Sequence, residues 1–428
     1  MTNDSRRSFL ASLAALALSP RALVRLPGAG TGLRAFAARA PRVHVRAITA
    51  GLTLPDAASL KPVEAALAML ARAKETFARE GYVVQTVRIA TQPFVSVTDA
   101  ASRKAVLDRI VALDGAAAAQ NASLSIGPIL TRDRWDADLA PWASDVIAAT
   151  RQTSISIVVA SRAAGVHGRG AATAAATMLA IANATPRGEG NFRFAAAANV
   201  PPGTPFFPVA HHGGSGDAIA IGLESASLVR EAIAGAPDDA EAARRLGDAF
   251  TSELAPVERI AQSIAQRERR AYLGIDPSPA PLLENSIGGA VEAFTKVPFG
   301  DASTLQACAM ITAAIRSIKV KTCGYTGLML PVLEDAVLAK RADELRYGLQ
   351  ELLLYSSVCG TGLDVVPVPG DTSSEILQRV ITDVATLSVR LQKPLSARLF
   401  PVPGKKAGDV ATFEDQYLVG SCRVFPVA

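Results

Sequence analysis

The sequence predicts an α/β fold built around a mostly parallel sheet. Runs of β-branched and apolar residues alternate with helical stretches from Val43 to Val402, the pattern of consecutive β-α units. One run, Ser154 to Ala160, is nearly continuous in apolar character, as is typical of a strand buried on both faces of a parallel sheet. With 428 residues, 49% of them hydrophobic, the chain is long enough to bury a core without disulfide or metal staples.

Each predicted strand is a short run rich in apolar or β-branched residues. The assigned runs are Val43 to Ala50, Tyr82 to Ile89, Ser123 to Leu130, Ser154 to Ala160, Phe192 to Val200, Ala271 to Asp276, Leu363 to Val368 and Ala397 to Val402. Altogether the chain offers about nine strand candidates, more than the eight of a (β/α)8 barrel.

Helices are predicted where apolar residues recur every three or four positions, as at Val63, Leu67, Leu70 and Phe77. The predicted helices are Leu60 to Glu80, Ala100 to Ala119, Glu224 to Ala234, Ala240 to Arg270, Leu305 to Ser317, Asp343 to Ser356 and Ser374 to Gln392. They separate the strands, which is the arrangement that parallel pairing requires.

The charge distribution argues against a nucleic-acid-binding protein. The formal net charge is +5, from 44 basic and 39 acidic residues, but residues 1–40 alone contain six arginines and one aspartate. The rest of the chain carries equal numbers of both signs and shows no basic patch interleaved with aromatic residues. No run of about 20 strongly apolar residues occurs, so we expect no integral membrane span.

The N-terminal segment is typical of an export signal. Arg6 and Arg7 precede Phe9 and Leu10, and the apolar run that follows as far as Leu18 is too short to span a bilayer. Paired arginines in this place are the feature that the twin-arginine translocase reads. We expect a periplasmic or secreted protein; the alternative is a frayed basic and apolar tail on a cytoplasmic one.

We divide the chain into a leader, residues 1–40, that is removed or disordered, and a single α/β domain, residues 41–428. The domain contains four cysteines: Cys308, Cys323, Cys359 and Cys422. Their spacings include no C-x-x-C pair, and spacing alone assigns no pairing. We expect buried free thiols.

Two adjacent histidines, His211 and His212, lie in a glycine-rich loop between Pro205 and Asp217. Either imidazole is a candidate proton carrier in catalysis, and structural hydrogen bonding is the alternative. Neighbouring residues on a loop rarely bind one metal together, so the pattern disfavours a zinc site.

Three acids are candidate general acids or bases. Asp276 ends a predicted strand, at the edge where α/β folds gather their sites, and Asp364 interrupts another strand, where a carboxylate is costly to bury unless it is paired. Glu224 opens a predicted helix. A turn or helix-capping role is the alternative for Asp276.

Four further residues are candidate substrate ligands. Arg398 and Lys405 would attract an anionic small molecule, although Lys405 can equally be a solvated turn residue. Glu334 opens a predicted helix together with Asp335, so interaction with the helix dipole is the alternative to binding a substrate or a divalent cation such as Mg²⁺. Asp371 precedes another helix and is the fourth candidate, with capping of that helix as its alternative.

Cys359 lies in a Gly-rich turn and is a candidate nucleophile. Activation of its thiol would need a neighbouring base or positive charge, which the sequence alone does not reveal.

Three segments together resemble the uncharacterised family DUF711, also called UPF0210: Ala220 to Ser225, Cys359 to Asp371 and Arg398 to Asp409. The resemblance covers about residues 43–428. It implies a fold similar to the pyruvate formate-lyase-like barrel, in which two five-stranded parallel halves form a ten-stranded α/β barrel, and it implies a homodimer. The family has no settled activity, so the resemblance supplies no reaction.

The resemblance in fold does not imply radical chemistry. Glycyl radical enzymes carry an Arg-Val-x-Gly-aromatic loop near the C-terminus, whereas this chain reads Cys422-Arg423-Val424-Phe425-Pro426, without a glycine. A likeness of fold is in any case a weak argument for function.

We therefore expect an enzyme that performs non-radical acid–base chemistry, as a lyase, isomerase or hydrolase, on a small polar or anionic substrate. The sequence specifies no cofactor, and a divalent cation is compatible with it. The alternative is a non-catalytic periplasmic protein that binds small molecules or serves as a scaffold. A plainer alternative for the Gly and Pro motifs is that they only close the barrel and its dimer contact.

Overall fold

Ten strands form one mixed sheet in the computed structural model of this protein. The structure describes residues 41–54, 60–94, 100–214 and 216–427. Within it, Pro41–Ala428 cluster as one compact unit. The predicted leader with its twin-arginine pattern lies outside the described residues.

The strands of the main sheet confirm the predicted α/β class. In chain order they are β1 (His44–Leu52), β2 (Val84–Thr91), β3 (Ala122–Leu130), β4 (Thr153–Ser161), β5 (Gly165–Val166), β6 (Phe194–Ala198), β7 (Ala218–Glu224), β8 (Ala271–Ala280), β9 (Gly362–Pro369) and β10 (Leu395–Val402). A separate hairpin near the C-terminus consists of β11 (Val410–Thr412) and β12 (Ser421–Arg423).

The helices of the described residues pack around the sheet, and the main apolar core lies between the two. They are α1 (Lys61–Arg79), α2 (Ala100–Ala119), α3 (Leu139–Ala149), α4 (Gly168–Ala184), α5 (Ala226–Ile233), α6 (Asp239–Arg267), α7 (Ile287–Thr295), α8 (Thr304–Arg316), α9 (Ala336–Asp343), α10 (Leu349–Tyr355) and α11 (Ser374–Leu391). Short 3-10 turns occur at Pro186–Arg193 and Val332–Glu334.

Two predicted boundaries at candidate site residues are wrong. Glu224 does not open a helix: it is the last residue of β7, where it pairs with His44 of β1, and α5 begins only at Ala226. The strand with Asp276 does not end there but continues to Ala280, because its two prolines fall where β8 makes few ladder contacts and need no N–H.

The strands form two parallel groups that run in opposite directions. In the first group β1, β2, β3, β4 and β6 pair in parallel in that order. In the second, β7 pairs in parallel with β8, and β9 with β10. Antiparallel pairs β1–β7 and β6–β10 join the groups, and β5 pairs with β4 outside this path.

The hydrogen-bonded path ends at β8 on one side and at β9 on the other, and residues 322–331 lie between them. Within this bridging segment, Thr322 forms a parallel bridge with Ile275 of β8, and Pro331 forms one with Asp364 of β9. The irregular segment thus occupies the place of the fifth strand of the second group. Together with the nine longer strands it gives the barrel-like arrangement that the resemblance implied.

Asp276 ties the bridging segment to β8. Its buried carboxylate accepts hydrogen bonds from the backbone N–H groups of Tyr325 at 2.8 Å and Thr326 at 3.1 Å. It also accepts bonds from the N–H of Ser278 at 3.1 Å and from the hydroxyl of that residue at 2.6 Å. One side chain therefore satisfies backbone donors that a regular strand would have satisfied through a ladder.

Residues 205–210, between β6 and β7, cross the face of the sheet opposite the helices. Thr49 of β1 donates a hydrogen bond to the carbonyl oxygen of Pro205 at 3.1 Å, and Ser125 of β3 donates one to that of Ala210 at 2.7 Å. This plug segment meets the bridging segment in a second, smaller apolar cluster: Ala195, Ala197, Phe206, Val209, Ala280, Tyr325 and Met329. The plug segment and the bridging segment therefore occupy much of the interior of the sheet.

The Gly-rich turn before β9 allows two backbones to touch. A Cβ atom built on Gly360 would lie 2.6 Å from Cα of Gly327 in the bridging segment, and one built on Gly327 would lie 2.7 Å from Cα of Gly360. The N–H of Gly360 donates to the carbonyl oxygen of Leu328 at 2.7 Å. For this motif, a structural role in packing two backbones together has direct support.

Replacing Gly360 by alanine should lower the free energy of unfolding by about 2 kcal/mol, because the new methyl group forces two backbones apart. The matched control is Gly115→Ala in α2, where nothing lies within 4 Å of the added Cβ. That change should raise stability by about 0.5–1 kcal/mol. Urea unfolding followed by circular dichroism measures both, and equal stability of the two variants would contradict the close contact.

Candidate functional site

A cavity of about 220 Å³ lies inside the sheet. The first group of strands contributes, among others, Arg46 near the start of β1 and Arg88 in the middle of β2. The second group contributes Asp364 of β9 and Arg398 of β10, and the plug segment contributes Phe207. The cavity is thus assembled from both groups and from the loop that crosses them.

A chain of buried ion pairs runs along the cavity. Arg398 binds Asp364 at 2.8 Å and Glu334 at 3.2 Å, and Arg46 binds Glu334 at 3.1 Å. Glu224 lies 3.7 Å from Arg46 on its other side. We call these five residues the charge network. Each of their side chains is 10% exposed or less, so each charge depends on its neighbours for stabilisation.

Polar side chains hold the outer end of the charge network. The carboxylate of Glu224 accepts a hydrogen bond from the side-chain amide of Asn285 at 2.7 Å and another from the side-chain amide of Gln85. His44, which is partly exposed, lies 3.9 Å from the same carboxylate. Glu224 is therefore fixed beside Arg46 and does not itself line the cavity.

Aromatic rings flank the arginines of the cavity. The guanidinium of Arg398 lies 4.9 Å from the ring centre of Phe192, and that of Arg46 lies 5.8 Å from Tyr417. The rings of Phe192 and Tyr417 also stack on each other with centres 6.3 Å apart. Such contacts stabilise a cation and fix the plane of its guanidinium.

Unlike Arg46 and Arg398, Arg88 forms no ion pair among the described residues. Arg193, which also lines the cavity without an ion pair in the described ranges, donates through Nη1 and Nη2 to the oxygens of Thr150, Thr153 and Ile147. Arg88 Nε donates to Thr86 Oγ1 at 3.0 Å, and its guanidinium lies 5.0 Å from the ring centre of Phe207. Burial and the nearby charge of Arg46 lower the pKa of Arg88 to about 9, which leaves the group protonated at neutral pH. A bound anion would compensate this charge.

The pKa of Asp364 is raised. Burial is the main cause, and the neighbouring carboxylate of Glu334 adds to it, while the ion pair with Arg398 acts in the opposite direction. A carboxyl group whose pKa is shifted toward neutrality can both give and take a proton in a reaction.

The structure brings three of the predicted site residues together at the cavity: Asp364, Glu334 and Arg398. Asp335, the neighbour of Glu334, has a structural role instead. Its buried carboxylate accepts bonds from the N–H groups of Ile287 and Leu338, and so caps α7 and α9 together.

Asp276 and the two histidines lie away from the cavity lining. The four hydrogen bonds of Asp276 hold the bridging segment. His211 Nδ1 lies 3.2 Å from the carbonyl oxygen of Val209, and burial lowers the pKa of its imidazole. His212 Nε2 lies 2.8 Å from the carbonyl oxygen of Gly216, while its backbone N–H bonds to Thr91 at the carboxyl end of β2.

Cys359, Lys405 and Asp371 do not line the cavity either. Cys359 is buried just after α10, where its carbonyl oxygen accepts a bond from Nζ of Lys393 at 2.6 Å. Lys405 is in the turn after β10, and its carbonyl oxygen accepts a bond from the N–H of Gly370. Asp371 is exposed, and Ser373 rather than Asp371 caps α11.

All four cysteines are free thiols, as predicted. Cys308, Cys359 and Cys422 are buried, and Cys323 is partly exposed. Burial raises the pKa of the Cys308 and Cys422 thiols, which keeps them protonated.

Sequence reasoning missed Arg46 and Arg88. Both are charged residues inside apolar strands, the same signal that singled out Asp364. Arg88 lies within a strand that was predicted, Tyr82 to Ile89, so its charge there could have marked it as a candidate site residue. The pairing of Arg46 with Glu334 could not be predicted, because the two residues lie 288 positions apart in the chain.

Within residues 41–427, apart from the gaps named above, no three or more His, Cys, Asp or Glu side chains are grouped so that they could hold a metal ion. A divalent cation stays an expectation from the sequence. None of the helices in the same ranges has the length and apolar character needed to cross a membrane.

Fold and cavity together define the class: an α/β protein made of two opposed parallel groups, with a buried arginine–carboxylate cavity between them. The chain belongs to the family described as uncharacterised ACR (DUF711), whose family model matches residues 39–414.

Proteins similar to this chain match it over between half and nearly nine-tenths of its length. A UPF0210 protein of Pyrobaculum islandicum is 31% identical over 381 residues, which are 85% of this chain and 83% of that protein. One from Desulforudis audaxviator is 28% identical over 402 residues, 87% of this chain and 88% of the relative. A UPF0210 protein of Pyrobaculum aerophilum is 35% identical over 229 residues, and there the match spans about half the length of each protein, 51%.

The buried carboxylate of Asp276 gives a pH-dependent prediction. Burial raises its pKa from 3.8 to about 6, so between these pH values the folded protein holds a proton that the unfolded chain has released. The contribution of Asp276 to stability therefore falls as the pH rises through this window. Two pKa units correspond to about 3 kcal/mol.

In Asp276→Asn the amide N–H₂ replaces a carboxylate oxygen and cannot accept hydrogen bonds from the backbone N–H groups. We therefore expect a loss of about 2 kcal/mol in the free energy of unfolding at pH 7.5. The variant has no titration at this position, so the stability gap to the wild type should widen as the pH falls to 4.5. Parallel urea titrations at both pH values measure the gap. A gap that narrows on acidification would show that the donors, rather than burial, set this pKa.

Proposed function

We propose that this protein is an enzyme that performs non-radical acid–base chemistry on a small anionic substrate bound in the cavity. The observation that carries the proposal is the pairing of two features at one cavity. Arg88 presents a guanidinium without an ion-pair partner among the described residues, and Asp364 presents a carboxyl group with a raised pKa. The first would bind the substrate and the second would transfer a proton.

Neighbouring groups support Asp364 in this role. Arg398 holds its carboxylate at 2.8 Å and would stabilise the ionised form after proton release. The hydroxyl of Tyr325 donates to Ser396 Oγ at 2.9 Å beside the cavity, where both side chains could contact a substrate hydroxyl or carbonyl. A lyase, an isomerase and a hydrolase that works by proton transfer would each use such an arrangement.

A second candidate is a non-catalytic protein that binds small molecules or acts as a scaffold. Its support is that most charges at the cavity are already paired, and that Asp276, Cys359 and both histidines lie outside it. A binder needs the guanidinium of Arg88 but not the proton transfer of Asp364.

Export to the periplasm or beyond through the twin-arginine translocase is part of the proposal, on the sequence of residues 1–40. A cytoplasmic location is the alternative. A homodimer is proposed on the family resemblance, and light scattering after size exclusion tests it.

Asp364→Asn should slow turnover strongly while substrate binding persists. Small anionic compounds are first screened by proton NMR for conversion over hours. With a compound that is converted, the variant should be at least about a hundredfold slower, because general acid–base catalysis contributes factors of this size.

The control is Asp371→Asn, which changes an exposed carboxylate outside the cavity and should leave turnover intact. Full activity of the Asp364 variant would remove this residue from the mechanism. Ligands that bind through Arg88 but stay unchanged would favour the binder.

The export proposal predicts that residues 1–40 direct a folded reporter out of the cytoplasm, and that changing Arg6 and Arg7 together to lysine retains it there. Cell fractionation measures the distribution. Changing Arg21 and Arg25 to lysine is the control, since these arginines lie after the apolar run. A reporter that stays cytoplasmic with the natural segment would contradict export.

A further inference from the structure

We infer that the cavity binds a small hydroxylated monocarboxylate in preference to a phosphate ester. The inference rests on the proposed function and narrows its substrate class. It depends on three features of the structure: the free edge of Arg88, the charge balance around it, and the hydroxyl groups on the neighbouring strands.

The guanidinium of Arg88 presents one particular edge. Its Nε is engaged by Thr86 Oγ1, and the ring of Phe207 lies over the group, so Nη1 and Nη2 are the donors without a partner among the described residues. Two parallel N–H donors in a fixed plane match the two oxygens of a carboxylate, which is also planar.

Charge balance favours a single negative charge. The positive charges of Arg46 and Arg398 are already compensated by the carboxylates of the charge network. Within the described part of the chain, the whole cavity lining contains five arginines, Arg46, Arg88, Arg151, Arg193 and Arg398, and four acids, Glu189, Glu334, Asp364 and Asp415. When all are ionised, one positive charge is in excess, and a monoanion neutralises it. A phosphate dianion would add a second negative charge close to Glu334 and Asp364, where burial makes repulsion costly.

Hydroxyl groups line the same cavity as Arg88. Ser123 of β3 is the direct cross-strand partner of Arg88, and Ser154 lies on β4, the next strand. Both line the cavity. On the far side, the buried Thr361 Oγ1 and Arg398 Nε have no hydrogen-bond partner in the part of the chain that the structure describes. A ligand with a carboxylate at one end and hydroxyl or carbonyl oxygens beyond it would satisfy these groups.

The volume limits the size of the ligand. About 220 Å³ is the space of about seven water molecules at ~30 Å³ each. A carboxylic acid with two to five carbons fits this space.

The test compares three compounds that share a three-carbon skeleton: glycerate, glycerol 3-phosphate and glycerol. Other hydroxylated monocarboxylates of two to five carbons are tested alongside glycerate. Isothermal titration calorimetry and ligand-detected NMR measure binding to the full chain. Glycerate or one of its homologues should bind at least tenfold more tightly than glycerol 3-phosphate, and glycerol should not bind.

Arg88→Gln should weaken carboxylate binding at least tenfold, and Arg88→Lys, which keeps the charge but loses the fork, should weaken it by a smaller factor. The control is Arg79→Gln, an exposed arginine at the end of α1, which should bind like the wild type. Thermal melts verify that each variant folds, and the lysine variant keeps the test valid if the glutamine variant does not.

The outcomes separate the two proposals. If glycerol 3-phosphate bound more tightly than every carboxylate and depended on Arg88, the monocarboxylate inference would be overturned, while the small-anion enzyme would stand. If no anion of either class bound in a way that depends on Arg88, both would be overturned.

Discussion

The hydrogen bonds that the carboxylate of Asp276 accepts fix the path of the segment that joins the two edges of the sheet. The ladder of the second strand group stops at β8, and the next chain segment in space is too irregular to continue it. Asp276 instead accepts the N–H groups of Tyr325 and Thr326 and so fixes where the bridging segment crosses. From there Tyr325 reaches Ser396 of β10, and the segment meets Gly360 before β9. One buried acid thereby connects the two edges of the sheet.

Enclosing polar groups within a sheet imposes a second constraint, since a buried charge must be compensated. Glu334 compensates two buried charges, because it lies between Arg46 and Arg398 and binds both. Removing any member of the charge network would leave a neighbour unpaired in a poorly solvated place. Arg88 lies outside the charge network and has no ion pair among the described residues. The proposed binding of an anion depends on this observation.

Much of the fold could be predicted from the sequence, because alternation of strand and helix patterns is a local property. β7 was missed since its short apolar run, Ala218–Glu224, leads directly into a helical pattern. The bridging segment could not be predicted as a strand, because it lacks a strand pattern and is held by Asp276 from elsewhere in the chain. At the site, Asp364 was found because a carboxylate inside an apolar strand is unusual, and Arg398 because a cationic segment suits an anionic substrate. Their partnership with Arg46 depends on contacts that only the folded chain brings together.

The direction of the strands explains why some candidates lie away from the cavity. In parallel sheets, sites gather at the carboxyl ends of the strands. Here the two groups run in opposite directions, so the carboxyl ends of one group lie beside the amino ends of the other, and the rule alone selects neither end. His212 follows the rule for the first group, beside the carboxyl end of β2, and is remote from the charge network. The plug segment occupies part of the interior between the two strand groups. The cavity forms beside it, where Arg46 and Arg88 of one group lie opposite Arg398 of the other.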